Sequence, residues 1–202
     1  MKLKVWLMVG VMIMAFATMA MPVMAAETGS TVVSGNIPGS MSLTVTGATV
    51  DLGDITTTGA HTDTTSVTLA VQTNYATWAV TAADALDLGS SDPKDSSYAG
   101  KMTESASANQ FVASSPKTLT NALQISSAGK VEESPKPAVT GSSLQSLSGT
   151  GSPITVISGT AYNTEAVSGI PLIFSQTTDA GDKPLPTSEA YRITVTFTGS
   201  TT

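Results

Sequence analysis

The chain contains no cysteine among its 202 residues. Disulfide bonds are therefore excluded, and so is a lipid-modified cysteine at a processed N-terminus. A protein of this kind must be stabilised by its hydrophobic core alone. A chain of this length is long enough to form such a core.

Charged and aromatic residues are also scarce, at 12% and 5% of the chain. The nine Lys and Arg are outnumbered by 15 Asp and Glu, which gives a formal net charge of −6. An acidic chain repels phosphate backbones, so nucleic acid is not an expected partner. Thr and Val are abundant instead, and these β-branched residues favour pleated strands. The composition therefore predicts an all-β protein.

The N-terminus has the features of a secretory signal peptide. Lys2 and Lys4 precede an apolar run over residues 5–20, and small residues follow Pro22. This pattern predicts cleavage after Ala25, leaving residues 26–202 as one secreted domain. The alternative is a retained anchor, because the apolar segment is long enough to span a bilayer. After cleavage, no membrane span is expected.

The clearest alternation of apolar and polar residues lies in two short runs, residues 67–71 and 78–82. This period of two is typical of strands with one buried face. Val71 and Trp78 are an odd number of positions apart, so an unbroken strand would point them to opposite faces. The sequence therefore predicts a hairpin or a bulge at residues 73–76.

Further short strands are predicted from similar patterns, and long polar segments separate them. The predicted strands cover residues 40–46, 49–53, 110–112, 119–125, 154–157, 170–174 and 191–198, with a weak strand or extended arm at 31–37. Residues 83–109 and 126–152 are expected to be largely irregular, with Leu144 and Leu147 packing on the core. Pro171 restricts its strand to an edge or a strand end. Eight to ten short strands predict a two-sheet antiparallel β-sandwich with long Ser/Thr/Gly-rich loops.

The single histidine, His61, is the first candidate for chemistry. A Ser-His-Asp triad would have to use it, with Asp54 or Asp63 as its orienting partner. No Gly-x-Ser-x-Gly motif presents a nucleophile. We therefore interpret His61 as an exposed structural residue, and the sequence predicts neither a catalytic site nor a cofactor.

Acidic residues form a second candidate site in the segment that follows residue 82. Asp84, Asp87, Asp92 and Asp95 could supply oxygen ligands to calcium, but their spacing does not fit an EF-hand loop. A solvated acidic loop without metal is the favoured interpretation. Asp179 and Asp182 are typical of turn chemistry. A pair of glycosidase carboxylates stays open as an alternative.

Asn74, Tyr75 and Trp78 are the candidate binding residues. Exposed aromatics near a hairpin tip can stack on sugar rings or insert into a partner. The alternation of Trp78 with Val80 instead favours burial of Trp78 in the core. Binding would then move to the tip, at Asn74 and Tyr75.

The order of these patterns resembles the WxL-type surface domains of Gram-positive bacteria. The resemblance is carried by residues 50–55, 66–71 and 191–198 and by Trp78-Ala79-Val80. Here Val80 stands for the leucine of the first Trp-x-Leu motif, and Phe197 occupies the final strand, where the second tryptophan would lie. The resemblance implies a secreted, β-rich protein held non-covalently on the cell surface.

These observations predict a non-enzymatic structural or adhesive protein that is secreted or associated with the cell surface. Its expected partners are a cell-envelope polymer, other surface proteins or further copies of itself. One alternative is a fibre subunit that assembles by strand addition through residues 28–37. Another is a carbohydrate-binding module that uses Tyr75 and the acidic loop.

Overall fold

The computed structural model describes residues 38–53, 55, 58–89, 92–107, 109–131, 138–160 and 163–201. The predicted signal segment, the arm at 31–37 and Asp54 lie outside the described residues. Within the described residues, no helix has the length and apolar character that crossing a membrane requires.

Short strands make up most of the described chain, and the remaining regular element is one 3-10 turn at Ser96–Tyr98. The strands are β1 (Met41–Thr46), β2 (Gly59–Asp63), β3 (Thr68–Thr73), β4 (Trp78–Asp84), β5 (Lys101–Ser107), β6 (Gln110–Phe111), β7 (Thr118–Ala122), β8 (Gln124–Lys130), β9 (Val139–Ser146), β10 (Ile154–Gly159), β11 (Asn163–Pro171), β12 (Ile173–Thr178), β13 (Ala190–Arg192) and β14 (Val195–Thr201).

These strands form three antiparallel sheets. The first has the order β1-β3-β11, and the second has the order β14-β4-β10-β9-β8-β12-β2. The third has the order β13-β5-β6, with β7 also paired to β5. The predicted all-β antiparallel sandwich is confirmed, with one sheet more than the two expected.

The main hydrophobic core lies among strands of the first two sheets. Leu69 and Val71 of β3 are buried, as are Trp78 and Val80 of β4. Strands β8, β10, β11 and β12 supply Ile125, Val156, Ile157, Val167, Ile170 and Phe174, and Leu123, Leu147 and Leu172 join the cluster from residues next to strands. Each large apolar side chain removed from water contributes roughly 1.5–3 kcal/mol, so this cluster dominates the stability of the fold.

The connection between β3 and β4 corrects the predicted hairpin. The chain does break between Thr73 and Trp78, as the parity of the apolar residues requires. However, β3 pairs with β1 and β11, whereas β4 pairs with β10 and β14. The chain therefore passes from one sheet to another at this break. This passage lets Val71 and Trp78 enter the same core from different sheets.

Several predicted boundaries were wrong. Residues 49–53 form no strand, and the single strand predicted at 191–198 is two strands, β13 and β14, in different sheets. The strand predicted at 119–125 is divided between β7 and β8 at Leu123. Pro171 is the last residue of β11, an edge strand, which confirms the restriction predicted for it.

The two segments expected to be irregular contain strands. Residues 83–109 include β5, and residues 126–152 include most of β8 and all of β9. These strands were missed because they are rich in Ser, Thr and Gly and lack a regular apolar alternation. Leu147 is buried at 3% exposure, as expected, but Leu144 is 47% exposed and does not anchor the segment.

Candidate functional site

The turn between β3 and β4 holds the chain that leads into β1. The side-chain Oδ1 of Asn74 accepts a hydrogen bond from Ser40 N at 2.7 Å, and Asn74 Nδ2 donates to Pro38 O at 2.9 Å. The backbone N–H of Asn74 donates to Ser40 O. Thr73 Oγ1 donates to the same carbonyl oxygen and accepts a hydrogen bond from Tyr75 N. Asn74 therefore uses its amide to fix neighbouring backbone.

Tyr75 presents an aromatic ring at this turn. Its side chain is 37% exposed and lies against Gly39, where an added Cβ would come within 2.2 Å of the phenol oxygen. An alanine at position 39 would therefore displace the ring from this position. Tyr75 keeps an accessible face that can contact a partner.

Trp78 is 1% exposed and belongs to the core. It pairs with Gly159 of β10, where an added Cβ would lie 2.4 Å from the indole ring. The predicted burial of Trp78 is confirmed, so this residue offers no surface to a ligand. A stacking site at this turn would have to use Tyr75.

His61 lies on β2, the edge strand of the seven-stranded sheet, opposite Gln176 of β12. It is half-buried on this strand, so the exposed position expected from the sequence is wrong. Asp63, the candidate triad partner, accepts hydrogen bonds from the backbone N–H groups of Thr65 and Ser66 and from the Ser66 hydroxyl. These bonds lower the pKa of Asp63, chiefly through Ser66 N–H. The Asp63 side chain therefore stabilises the turn that follows β2.

The acidic segment differs most from its predicted form, because Asp84 is completely buried. It forms an ion pair with Lys94, and both side chains have 0% exposure. The other carboxylates bind local groups: Asp87 accepts from Gly89 N, Asp95 accepts from Ser97 N, and Asp92 accepts from Gln110 Nε2. The interpretation as a solvated acidic loop is therefore wrong for Asp84.

Calcium has no evident set of ligands in this segment. Among the residues that the structure describes, no group of three or more His, Asp or Glu side chains is placed to hold a metal ion. The turn interpretation of Asp179 and Asp182 is confirmed. Asp182 Oδ2 accepts from Asp179 N, and Asp182 Oδ1 also accepts from Thr120 N and Oγ1, which ties β7 to this turn.

A pair of glutamates that the sequence analysis did not identify joins β5 to the segment before β13. Glu104 is 8% exposed, and its Oε2 accepts a hydrogen bond from Lys117 N at 2.7 Å. This bond lowers the pKa of Glu104 against the opposing effect of burial. The hydrogen bond with Glu104 raises the pKa of Glu189, and burial and the charge of Glu104 act in the same direction.

The contact between these carboxyls decides what the pair can do. Glycosidase carboxyl groups are about 5–9.5 Å apart, which leaves room for the sugar or a water molecule between them. Glu104 and Glu189 are in hydrogen-bond contact, and this contact raises the pKa of Glu189. Their geometry therefore suits a structural link better than cleavage of a glycoside.

A cavity of about 620 Å³ is lined by the loop after β1, by residues 191–195 and by Phe197. Its apolar members include Val50, Leu52, Leu88, Met102, Phe174, Ile193 and Phe197. Tyr191 and Arg192 add polar groups, but Tyr191 donates to Lys183 O and Arg192 donates to Ser105 Oγ. The volume falls within the range of small-molecule sites. The only sequence signal for it was the alternation of Tyr191, Ile193 and Phe197.

Comparison of the chain with protein-family models, with curated proteins and with solved structures finds no match.

Proposed function

We propose that this protein is exported and acts at the cell surface as a non-enzymatic structural or adhesive β-sandwich. The observation that carries the proposal is that the candidate polar side chains bind the protein's own backbone. Asn74, Asp63, Asp84 and Asp95 all direct their acceptors to the chain's own backbone N–H groups. Side chains with such hydrogen bonds stabilise the turns of the fold and are poorly placed to act on a substrate.

The accessible face of Tyr75 supports an adhesive role for the β3–β4 turn. Aromatic rings that are partly exposed and held by rigid backbone make favourable contacts with polymers and proteins. The proposed partners are an envelope polymer or other surface proteins. The resemblance to WxL-type domains supports non-covalent attachment, and here the contact would pass through Tyr75 instead of the buried Trp78.

Cell fractionation tests the proposal directly. The full chain should be recovered from the envelope and the medium, and a variant lacking residues 1–25 should stay in the cytosol. The purified secreted form should bind envelope material, and Tyr75→Ala should weaken that binding several-fold. Thr155→Ala, on the exposed face of β10, is a matched control. Recovery of the full chain mainly from the cytosol would refute export.

The open sheet edges favour a second candidate, which is a fibre subunit. Among the described strands, β14 is paired only with β4, and β1 is paired only with β3. Unpaired edges of this kind accept an additional strand from another chain. Residues 28–37 precede β1 directly and would be the donor.

Imaging of the purified secreted form separates these two candidates. If strand addition operates, filaments form, and deletion of residues 26–37 abolishes them while leaving the monomer folded. A charge on the acceptor edge, Thr196→Lys, should also block assembly. Filaments that persist after the deletion would exclude residues 28–37 as the donor.

A further inference from the structure

The buried Lys94–Asp84 pair has the geometry of a reactive site. Asp84 ends β4, and Lys94 returns to it because Lys94 N donates to Leu86 O at 2.9 Å. The Lys94 Nζ atom contacts Asp84 Oδ2, and neither side chain is exposed to solvent. An amine and a carboxyl group are thus held together where water does not compete.

The surroundings of Lys94 hold its amine in a fixed position within a dry site. Its other hydrogen-bond acceptor is the carbonyl oxygen of Lys101, at 2.9 Å, and the Phe111 ring covers it with the ring centre 5.6 Å from Nζ. Burial lowers the pKa of Lys94, although the adjacent Asp84 acts in the opposite direction. Burial therefore raises the share of the neutral amine, which is the nucleophilic form of lysine.

Backbone donors surround the carboxyl group of Asp84. Gly100 N donates to Oδ2 at 2.8 Å, and Leu86 N donates to Oδ1 at 3.0 Å. Fixed N–H groups in this arrangement stabilise the negative charge that develops on oxygen when a nucleophile adds to the carbon. Gly100 has a φ of +80°, and an added Cβ would lie 2.0 Å from Leu147 O. Only glycine fits there, so the position of this N–H donor is strictly defined.

We propose that Lys94 and Asp84 join spontaneously through an amide bond between Lys94 Nζ and Asp84 Cγ. The neutral amine adds to Cγ and forms the N–C bond. One C–O bond of the carboxylic acid then breaks, and the departing hydroxyl leaves as water with a proton from the amine. The ammonium and carboxylate are thereby converted into one amide and one water molecule, with no change in oxidation state.

Proximity supplies the driving force that free amines and carboxylates lack. Well-oriented intramolecular reactions reach effective molarities of about 10⁵–10⁸ M, and departure of the water from a dry site opposes hydrolysis. The product is a covalent link between the end of β4 and the turn before β5. In a chain without cysteine, this link performs the locking function of a disulfide and resists reduction.

Intact-mass measurement of the full chain, purified as it is secreted and denatured before analysis, tests this proposal. The measured mass should be lower than the mass of the processed sequence by one water. Digestion at aspartate locates the loss, because cuts before Asp87 and Asp92 separate residue 84 from residue 94. The two fragments should remain joined. Full sequence mass, or a water loss elsewhere in the chain, would overturn the proposal.

Two lysine variants complete the test. Lys94→Met removes the amine and should restore the full mass. In the wild-type chain, trypsin should not cut after Lys94, because the bond modifies its side-chain amine. Lys183→Met changes an exposed lysine, so it should keep the mass deficit. The wild-type measurement needs no variant, so misfolding of Lys94→Met would leave the result intact.

Discussion

At the scale of single residues, glycines decide how closely aromatic rings approach the backbone. The Trp78 indole lies over Gly159, and the Tyr75 ring lies over Gly39. In both places a methyl group would overlap the ring. The two rings nevertheless differ in environment, because Trp78 is buried and Tyr75 is partly exposed.

Gly159→Ala is expected to destabilise the protein by about 1–3 kcal/mol, because its Cβ would collide with an indole that has no room to move. Denaturant unfolding followed by Trp78 fluorescence measures this change. Gly151→Ala is the matched control, since nothing lies within 4 Å of its added Cβ. Equal stability of both variants would contradict the close contact at Trp78.

Asn74→Ala should cost about 1–2 kcal/mol, because it removes the side-chain hydrogen bonds to Ser40 N and Pro38 O. Tyr75→Ala should leave the fold intact and cost about 1 kcal/mol or less, since its ring is partly solvated. Chemical denaturation of both variants provides the comparison. A large loss of stability in Tyr75→Ala would place Tyr75 in the core instead.

At the scale of elements, the carboxyl pair links β5 to the turn before β13. The two members respond to pH in opposite directions. Glu104 has a lowered pKa, so its stabilising contribution is present above its ordinary pKa and is lost as pH falls through the lowered value. Glu189 has a raised pKa, so its contribution is present at low pH and is lost as pH rises through the raised value.

Glu189→Gln should therefore remove the loss of stability that accompanies ionisation of Glu189. The glutamine amide donates to Glu104 at every pH, so the variant should gain stability relative to wild type above the ordinary glutamate pKa of about 4.3. Urea midpoints measured from pH 4 upward reveal the difference. Glu165→Gln, at an exposed position, is the control. Parallel pH profiles for wild type and Glu189→Gln would contradict the raised pKa of Glu189.

At the scale of the whole molecule, the three sheets do not share one core equally. The main cluster draws its buried residues from strands of the first two sheets and from four residues next to strands, which are Val67, Leu123, Leu147 and Leu172. Phe111 and Leu119 of the third sheet are buried outside the main cluster. Met102 of that sheet and Ile193, which follows β13, contact the main cluster only as partly buried residues. The third sheet is therefore less strongly coupled to the core.

Hydrogen exchange should reflect this difference. Amides of β4 and β10 should exchange through global unfolding, whereas paired amides of β5 and β13 should exchange through a smaller opening and at least tenfold faster. Mass-spectrometric exchange with peptides from each sheet measures the two rates. Equal protection in all three sheets would show that they unfold as one unit.

The local alternation of apolar residues was sufficient to predict some elements. It predicted β1, β10 and the burial of Trp78, because a period of two assigns alternate side chains to one face. It also required the break after Thr73. The same rule failed for β5 and β9, whose Ser, Thr and Gly residues are placed by pairing with neighbouring strands and carry little signal of their own.

The candidate sites were less accessible to sequence reasoning. The abundance of Thr and Val and the period-two alternation determined the all-β class, because β-branched residues favour pleated strands. Only the tertiary structure decided that Asp84 meets Lys94 in a dry site and that Glu104 meets Glu189. The first contact arises where the chain folds back between Leu86 and Lys94, and the second arises from the pairing of β5 with β13. Local periodicity encodes neither of these arrangements.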